Sequence, residues 1–380
     1  MKIAVIGQGY VGFPLAQLAA KSGFEVIGYD TNSNVIKSLD NSEPKLKLTD
    51  DEAFLIDCQI YVIAVPTPLD TEGKPDLSYV IKASQTLAKY VVSGSLVISE
   101  STSYPGTLRE VIMPIVDPSG LKVLFASAPE RIDPLNKNWN LKNTARVIGG
   151  LTQEATSKAE QFYATFCEQL HTVSSPEVAE SAKLLENTFR QVNIAFMNQF
   201  TQIMDKFDIP VHEVIDAADT KPFGFMKFIP GLGVGGHCIP IDPMYLVYKA
   251  KNLGVDSSLI QLSDKINSNM PAYVLNKIIS LLGGQIKGKK ICIVGLSYKP
   301  DVPDLRDSPS LSLWDQLEQV GAFVFYHDNF HKTFRNKKNE NLNDSYFDLS
   351  IIAVQHKNLD MDQLKRSSKL LVNAIGKKLA

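Results

Sequence analysis

Metal-type cysteine spacing is the first thing this chain lacks. Cys58, Cys167, Cys238 and Cys292 lie far apart and share no CxxC pair, which argues against a structural zinc site and leaves no metal expected. No apolar run approaches the roughly 18–20 residues of a membrane span. The first residues, MKIAVIG, enter a strand-like run at once, without a charged leader and cleavage site. Charge of one sign is also missing: 39 Lys and Arg against 41 Asp and Glu leave a formal net charge of -2. No basic domain or stripe offers a nucleic-acid backbone a footprint. The nearest approach, Arg335, Lys337 and Lys338, sits among Asn residues and reads as a solvated loop. With 44% hydrophobic and 21% charged residues the chain has a large core to bury and little room for disorder. These absences predict a reduced, cytoplasmic protein with neither nucleic acid nor membrane as partner. Its 380 residues predict two or three domains.

What is present is alternation. IAVIG, FEVIGYD, IYVIAVPTP, SLVISES and VLFASAPE are short apolar runs rich in Val and Ile, separated by helix-period stretches such as YVGFPLAQLAAKSG. That order predicts βαβ units and a doubly wound parallel sheet. RVIGG and EQLHTV close the series. Residues 175–207 then read as one long helix, with Ser175 as N-cap, Pro176 at the first position and Glu177 complementing the dipole. Leu184, Leu185, Phe189, Val192, Phe196 and Phe200 place apolar side chains on several of its faces, the mark of a helix buried between domains or subunits. VHEVIDAAD is a shorter helix, and IPGLGVGGHCIPIDP a Gly- and Pro-dense loop. The strand pattern restarts at KKICIVGLSYK and continues in FVFYHD, LSIIAV and LLVNA. The expected fold is therefore α/β: an N-terminal Rossmann-type doubly wound sheet (1–174), a central long-helix dimerisation region (175–265) and a second, smaller α/β domain (266–380).

Gly7-Gln8-Gly9-Tyr10-Val11-Gly12 follows the first strand and opens a helix. The first glycine permits a tight turn, the second lets backbone approach a pyrophosphate, and the third allows close helix–strand packing. The helix N-terminus supplies N–H groups and positive potential to phosphates. Asp30 ends the second strand eighteen residues beyond Gly12. A carboxylate there accepts hydrogen bonds from ribose hydroxyls and repels a 2′-phosphate, so NAD is the expected cofactor rather than NADP.

In the loop Gly231-Leu-Gly-Val-Gly-Gly-His-Cys238, four glycines in six residues give a backbone freedom that a packing cysteine does not need. Pro240 and Pro243 mark a helix start just after Cys238, where a helix N-terminus favours thiolate. Asp242, four residues on, is placed to act on a water. From the loop alone Cys238 reads equally as nucleophile or as buried packing residue, and His237 as a loop residue. On the long helix Lys183, Asn187 and Arg190 follow i, i+4, i+7 spacing and share one face. Taken alone, that row fits a cleft or a solvent stripe equally.

Six separated blocks in order then carry a resemblance. They are Val65-Pro-Thr-Pro68, Ser101-Thr-Ser-Tyr-Pro-Gly-Thr107, Pro129-Glu130, Glu180-Ser-Ala-Lys-Leu-Leu-Glu-Asn187, Gly235-Gly-His-Cys-Ile-Pro-Ile-Asp242-Pro, and Ser297-Tyr-Lys-Pro-Asp-Val-Pro-Asp-Leu-Arg-Asp-Ser-Pro309. With the glycine fingerprint, they make the chain resemble the UDP-glucose/GDP-mannose dehydrogenase family from end to end. HCIPIDP resembles the members acting on UDP-N-acetylhexosamines. PERIDP at 129–134 resembles the UDP-N-acetylglucosamine 6-dehydrogenases most.

The resemblance implies an NAD-dependent, two-step oxidation of a sugar C6 alcohol to the carboxylate, serving surface polysaccharide synthesis. It implies a UDP-sugar substrate and a homodimer formed through the central helix. Cys238 is then the covalent nucleophile, carrying a thiohemiacetal and a thioester. Lys183 stabilises oxyanions, Asn187 and Asp242 handle water and protons, Glu130 is the base for thioester hydrolysis, and Thr102 orients water. Pro66, Thr67, Thr102 and Glu130 line the nicotinamide half of the cofactor site, joined by Arg306 from across the cleft; Gly7, Gly9, Tyr10, Val11, Gly12 and Asp30 hold the other half. The implied substrate contacts are Glu130, Arg131, Lys183, Asn187, Arg190, Gly235 and Lys299.

Three departures bear on the substrate. Lys221-Pro222-Phe223 stands where relatives carry an Arg soon after His-Pro, leaving that contact to Lys221 or Lys227 or removing it. Leu232 occupies a frequent Pro position, and LLVNAIGKK lacks the usual Asp-x-Arg ending. Two other readings stay open: a β-hydroxyacid or 6-phosphogluconate-type dehydrogenase, which needs neither Cys238 nor the second α/β domain, and a non-catalytic NAD- or sugar-nucleotide-binding regulator. UDP-N-acetylmannosamine and UDP-glucose remain alternative substrates of the same chemistry.

Overall fold

Eight strands make the larger sheet. They are β1 (Lys2–Ile6), β2 (Glu25–Tyr29), β3 (Leu46–Thr49), β4 (Ile60–Ile63), β5 (Leu96–Ser99), β6 (Leu124–Ser127), β7 (Arg146–Gly150) and β8 (Leu170–Thr172). Their order is β3-β2-β1-β4-β5-β6-β7-β8. The structure, a computed structural model, describes residues 1–132, 136 and 138–375. It divides into two compact units, Met1–Glu186 with Met244–Val255, and Asn187–Pro243 with the chain from Asp256 onward.

In the first unit β1 pairs in parallel with both β2 and β4, so the strand order reverses beside β1. In open α/β sheets ligands bind at that switch point, outside the carboxyl ends of the strands. Alternate residues serve opposite faces. Ile3 and Val5 meet Leu15, Ala16 and Ala19, whereas Ala4 and Ile6 face the cluster of Val80, Leu87 and Leu108. Strands β4 to β7 are buried along their whole length, which is why their central residues are apolar on both faces.

One expectation is corrected. The sheet is not parallel throughout: β7 runs antiparallel to β6, and β8 is parallel to β7. A parallel partner for β6 needs a crossover, usually helical. No helix occurs among the described residues between β6 and β7, so the chain turns back beside β6 instead.

The helix Pro176–Lys206 starts as its sequence signals. The Ser175 hydroxyl accepts the Val178 N–H at 3.4 Å, and Glu177 pairs with Arg109 at 2.7 Å. Its apolar residues divide, however: Leu184 is fully buried while Leu185 and Phe196 are 67% and 56% exposed. VHEVIDAAD forms the helix Val211–Asp219.

The second unit has β9 (Lys290–Val294), β10 (Phe323–His327), the short hairpin of β11 (Thr333–Phe334) and β12 (Lys337–Lys338), β13 (Leu349–Ile352) and β14 (Leu371–Asn373). Its main sheet is β10-β9-β13-β14, parallel throughout. Trp314, Leu313 and Leu317 pack there with Met270, Val274 and Ile278. The cluster Arg335, Lys337 and Lys338 lies at the turn and second strand of that hairpin, with Arg335 and Lys338 exposed and Lys337 half-buried. Arg335 pairs with Asp315 and lies over the Trp314 and Phe334 rings, and Lys337 reaches Glu318 and the Val324 carbonyl. Cations stack on the aromatic edge of a core that periodicity does not reveal. Asp133, Pro134 and the end of the LLVNAIGKK run lie outside the described residues. No helix among the described residues is long and apolar enough to cross a membrane, and no group of ligand-type side chains among them is arranged to hold a metal.

Candidate active site

The glycine turn after β1 is built by close approach. A Cβ on Gly12 would stand 1.9 Å from the Gly7 carbonyl oxygen, and one on Gly7 would stand 2.5 Å from that of Ala64. Gly9 differs: a Cβ there meets nothing within 4 Å. That open backbone is the cradle a pyrophosphate needs, and the helix Gly12–Lys21 beyond it carries no acid in its first turn. Tyr10 and Val11 lie at the same rim, Tyr10 exposed. Asp30 is fixed by two backbone donors, the Gln8 N–H to Oδ2 and the Asn32 N–H to Oδ1, each at 2.9 Å. It is only part-buried, so lone pairs remain for ribose hydroxyls. These residues fit NAD.

Further along the same sheet, β5 and β6 deliver Thr102 and Glu130 from their carboxyl ends. Glu130 is buried, its carboxylate accepting the Ile132 N–H and its own N–H directed at the Glu100 carbonyl at 3.4 Å. Pro66 is exposed, whereas Thr67 is buried with its carbonyl accepting the Tyr245 hydroxyl. Arg131 is engaged by Glu186 at 2.6 Å and by the Ala145 carbonyl at 2.7 Å.

Two supports here escaped sequence reasoning. The Glu180 carboxylate accepts the N–H groups of Gly106 at 2.7 Å and Leu108 at 3.1 Å, pinning the loop that follows Thr102. Burial raises its pKa to about 7 against those two bonds, which act to lower it. Behind Glu130, buried Arg146 donates to the Ala128 carbonyl at 3.2 Å and lies 3.4 Å from Glu100, which also accepts the Tyr163 hydroxyl at 2.5 Å. Glu180 was visible three residues before Lys183, a same-face spacing. Nothing local marked Arg146 or Tyr163.

In the second unit the glycine loop is pressed against the segment after β9. A Cβ on Gly235 would stand 2.7 Å from the Asp307 carbonyl, and Gly236, at φ 81, would put one 2.9 Å from the Tyr298 ring. The Gly236 N–H donates to the Arg306 carbonyl at 3.0 Å. Upstream, a buried amide chain sets the loop's start: Asn198 accepts the Gly231 N–H at 2.9 Å and donates to Asn267, which donates to the Gln191 carbonyl. Leu232 is buried in the core beneath it. Such amides are invisible in a helix-period reading because they occupy positions that periodicity assigns to apolar residues.

Cys238 is exposed; the other three cysteines are buried. Burial pushes the Cys58 thiol up to about 11 and raises Cys167 and Cys292 as well, holding them protonated. The Cys238 carbonyl accepts the N–H groups of Ile241 at 3.1 Å and Asp242 at 2.9 Å, and Asp242 is the first residue of the helix Asp242–Asn252. Asp242 thus stands one turn from Cys238, and its Oδ2 accepts the Asn187 side-chain amide at 2.5 Å. His237 is part-buried, its pKa lowered by burial and then by the Arg306 charge. Lys183 and Asn187 are buried but Arg190, on the same stripe, is exposed; cover changes along a 31-residue helix. Arg306 clasps Asp304 at 2.7 Å, and the Lys299 ammonium lies 5.9 Å from the Tyr298 ring centre. Lys227 pairs with Asp216 and Asp219, and Lys221 sits over the exposed Phe223 ring.

Comparison with known proteins decides the family. The chain matches the NAD binding domain of the UDP-glucose/GDP-mannose dehydrogenase family over residues 1–50 and 43–167. It matches the family's central domain over 177–269 and its UDP binding domain over 292–375. The chain belongs to the UDP-glucose/GDP-mannose dehydrogenase family. Protein CapL of Staphylococcus aureus is 38% identical over 348 residues, covering 86% of this chain and 81% of that one. The UDP-N-acetyl-D-glucosamine 6-dehydrogenase of Pseudomonas aeruginosa is 34% identical, covering 85% and 82%. The structure of a UDP-D-ManNAc dehydrogenase from Pyrococcus horikoshii superposes with a TM-score of 0.89 at 32% identity, over 99% of this chain and 95% of that one. This UDP-glucose/GDP-mannose dehydrogenase family member is an NAD-dependent UDP-sugar dehydrogenase, an oxidoreductase.

Proposed function

We propose that this enzyme oxidises the C6 alcohol of a UDP-N-acetylhexosamine, UDP-N-acetylglucosamine first, to the uronate, with Cys238 holding the sugar covalently between two oxidations. The observation that carries this reading is the setting of Cys238. It is the exposed thiol among four, one turn before an Asp242 already bonded to Asn187. Two NAD molecules, bound in turn, would each take one hydride from C6. In the first oxidation Asp242, acting with Lys183, takes up the hydroxyl proton, and the Asn187 amide holds the Asp242 carboxylate in place. The Cys238 thiolate then adds to the aldehyde carbon, and Lys183 stabilises the oxygen anion. After the second oxidation a thioester remains. Glu130 draws a proton from water oriented by Thr102, the water oxygen bonds to the acyl carbon as the C–S bond breaks, and the carboxylate leaves with the Cys238 sulfur restored.

The substrate contacts proposed are Glu130, Arg131, Lys183, Asn187, Arg190, Gly235 and Lys299. Arg306, Pro66, Thr67, Thr102 and Glu130 complete the cofactor site. The proposal includes a cytoplasmic homodimer, since Leu185, Phe189, Phe196 and Ile203 recur at helical spacing and are exposed. It also includes domains at 1–174, 175–265 and 266–380. The named relatives favour a second substrate, UDP-N-acetylmannosamine, because the Pyrococcus structure bears that name at 32% identity.

A panel of UDP-N-acetylglucosamine, UDP-N-acetylmannosamine, UDP-N-acetylgalactosamine and UDP-glucose, read by NADH absorbance, separates these. Two NADH per sugar are expected for the preferred substrate. Cys238→Ser should stop uronate formation, and a serine variant still releasing two NADH per sugar sinks the covalent step.

A further inference from the structure

The first unit and the second share one construction that ends in different uses. Gly7 follows β1 and donates its N–H to the Tyr29 carbonyl at 2.8 Å; Gly295 follows β9 and donates to the His327 carbonyl at 2.9 Å. The next N–H in each turn reaches an acid at the end of the neighbouring strand. Gln8 donates to Asp30 at 2.9 Å, and Leu296 to Asp328 at 2.7 Å. The second oxygen accepts from two residues beyond: Asn32 to Asp30 at 2.9 Å, Phe330 to Asp328 at 2.8 Å.

There the parallel stops. Asp30 keeps part of its carboxylate open, but Asp328 is 1% exposed and lies beneath His356. His356 is 3% exposed, with Nε2 3.3 Å from Asp328 Oδ2 and Nδ1 3.0 Å from the Asp301 N–H. A backbone N–H can only donate, so Nδ1 is the acceptor, the ring proton sits on Nε2, and it points at Asp328. Burial pushes Asp328 up, but the bonds from His356, Leu296 and Phe330 outweigh it and hold the acid at about 2, so it stays a carboxylate. Asp301 is held at φ 61, a left-handed conformation uncommon for a non-glycine residue, and its carboxylate accepts the Lys357 N–H at 2.9 Å. Asp301 lies two residues beyond Lys299 and five before Arg306, whose carbonyl accepts the N–H of Gly236 in the Cys238 loop.

We propose that His356 is a positioning residue for the nucleotide-sugar site: it spans Asp328 and the Asp301 backbone, and thereby sets the 298–306 segment that presents Lys299. The acid that holds a ribose in the first unit has been withdrawn in the second to anchor this ring. The inference rests on the reading that Lys299 contacts the UDP-sugar.

UDP alone, titrated calorimetrically into the full-length protein, tests it. In His356→Asn the side-chain oxygen takes the place of Nδ1 and still accepts from Asp301. In His356→Gln that acceptor is lost while a donor toward Asp328 is kept. UDP affinity should stay within about threefold in the Asn variant and fall about tenfold in the Gln variant, the size of one lost buried hydrogen bond. NAD affinity should be unchanged in both. Equal UDP affinity in the two variants, or equal losses in both, overturns the clamp. Wild-type protein that binds no UDP overturns instead the reading beneath it. Amide exchange in the wild type gives a check that no misfolded variant can spoil: Asp301 should exchange slowly without UDP, and rapid exchange there refutes a preset segment.

Discussion

Glycine at three positions of one turn is required for two different reasons, and substitution separates them. Gly7 and Gly12 are packed against backbone oxygen, so a methyl group has no space. Gly9 faces open space and does not need a positive φ, so alanine fits the fold but stands in the cradle proposed for phosphate. Gly9→Ala should therefore melt within a degree or two of wild type while NAD affinity falls tenfold or more. Gly12→Ala should lower the melting temperature markedly as well as abolish binding. Calorimetric melting and NAD titration of the pair decide it, and equal stability losses in both variants would contradict the cradle. Cys238 follows the same residue-level logic: the chemistry proposed for it depends on standing in solvent while its three counterparts are shut in apolar surroundings as thiols.

At the scale of elements, the Thr102 loop is fastened to the long helix by Glu180, and that fastening carries a pH signature. The unfolded glutamate ionises near 4.5 and the folded one near 7, because burial outweighs the two N–H bonds. Folded protein therefore holds a proton that unfolded chain has released between these values, and this group's contribution to stability falls as pH rises through that window. Glu180→Gln should flatten the decline in melting temperature between pH 4.5 and 7.5. A variant as steep as wild type would place the titration elsewhere. Much of this level was legible in advance: β1, the glycine turn, the 176–206 helix and the restart at β9 follow from apolar runs, caps and glycines. The reversal of β7 was not, since direction within a sheet is set by the connection and not by the strand's own residues.

For the whole molecule, an exposed apolar stripe on a helix otherwise built into the fold is costly in water, which is the ground for the proposed dimer. Phe196→Arg should halve the mass seen by light scattering if the stripe is the dimer contact. Wild-type protein that is already a monomer would refute that assembly. The three family domain matches, from residue 1 to residue 375, account for nearly the entire chain.

Sequence alone determined the cofactor, because a strand–glycine–helix turn and an acid at the next strand's end are local devices whose spacing is their function, whereas the cysteine among glycines by itself left its role open. It determined the two α/β modules for the same reason, through apolar periods of two and 3.6. Only tertiary structure decided which buried polar residues stand behind the candidate site. Arg146 behind Glu130, Glu180 under the Thr102 loop, the Asn198–Asn267 amides and His356 over Asp328 lie between 18 and 76 residues from what they hold. A hydrogen bond between distant residues leaves no periodic trace in either partner, so it becomes visible only when the chain has folded and the buried polar atoms must each be satisfied.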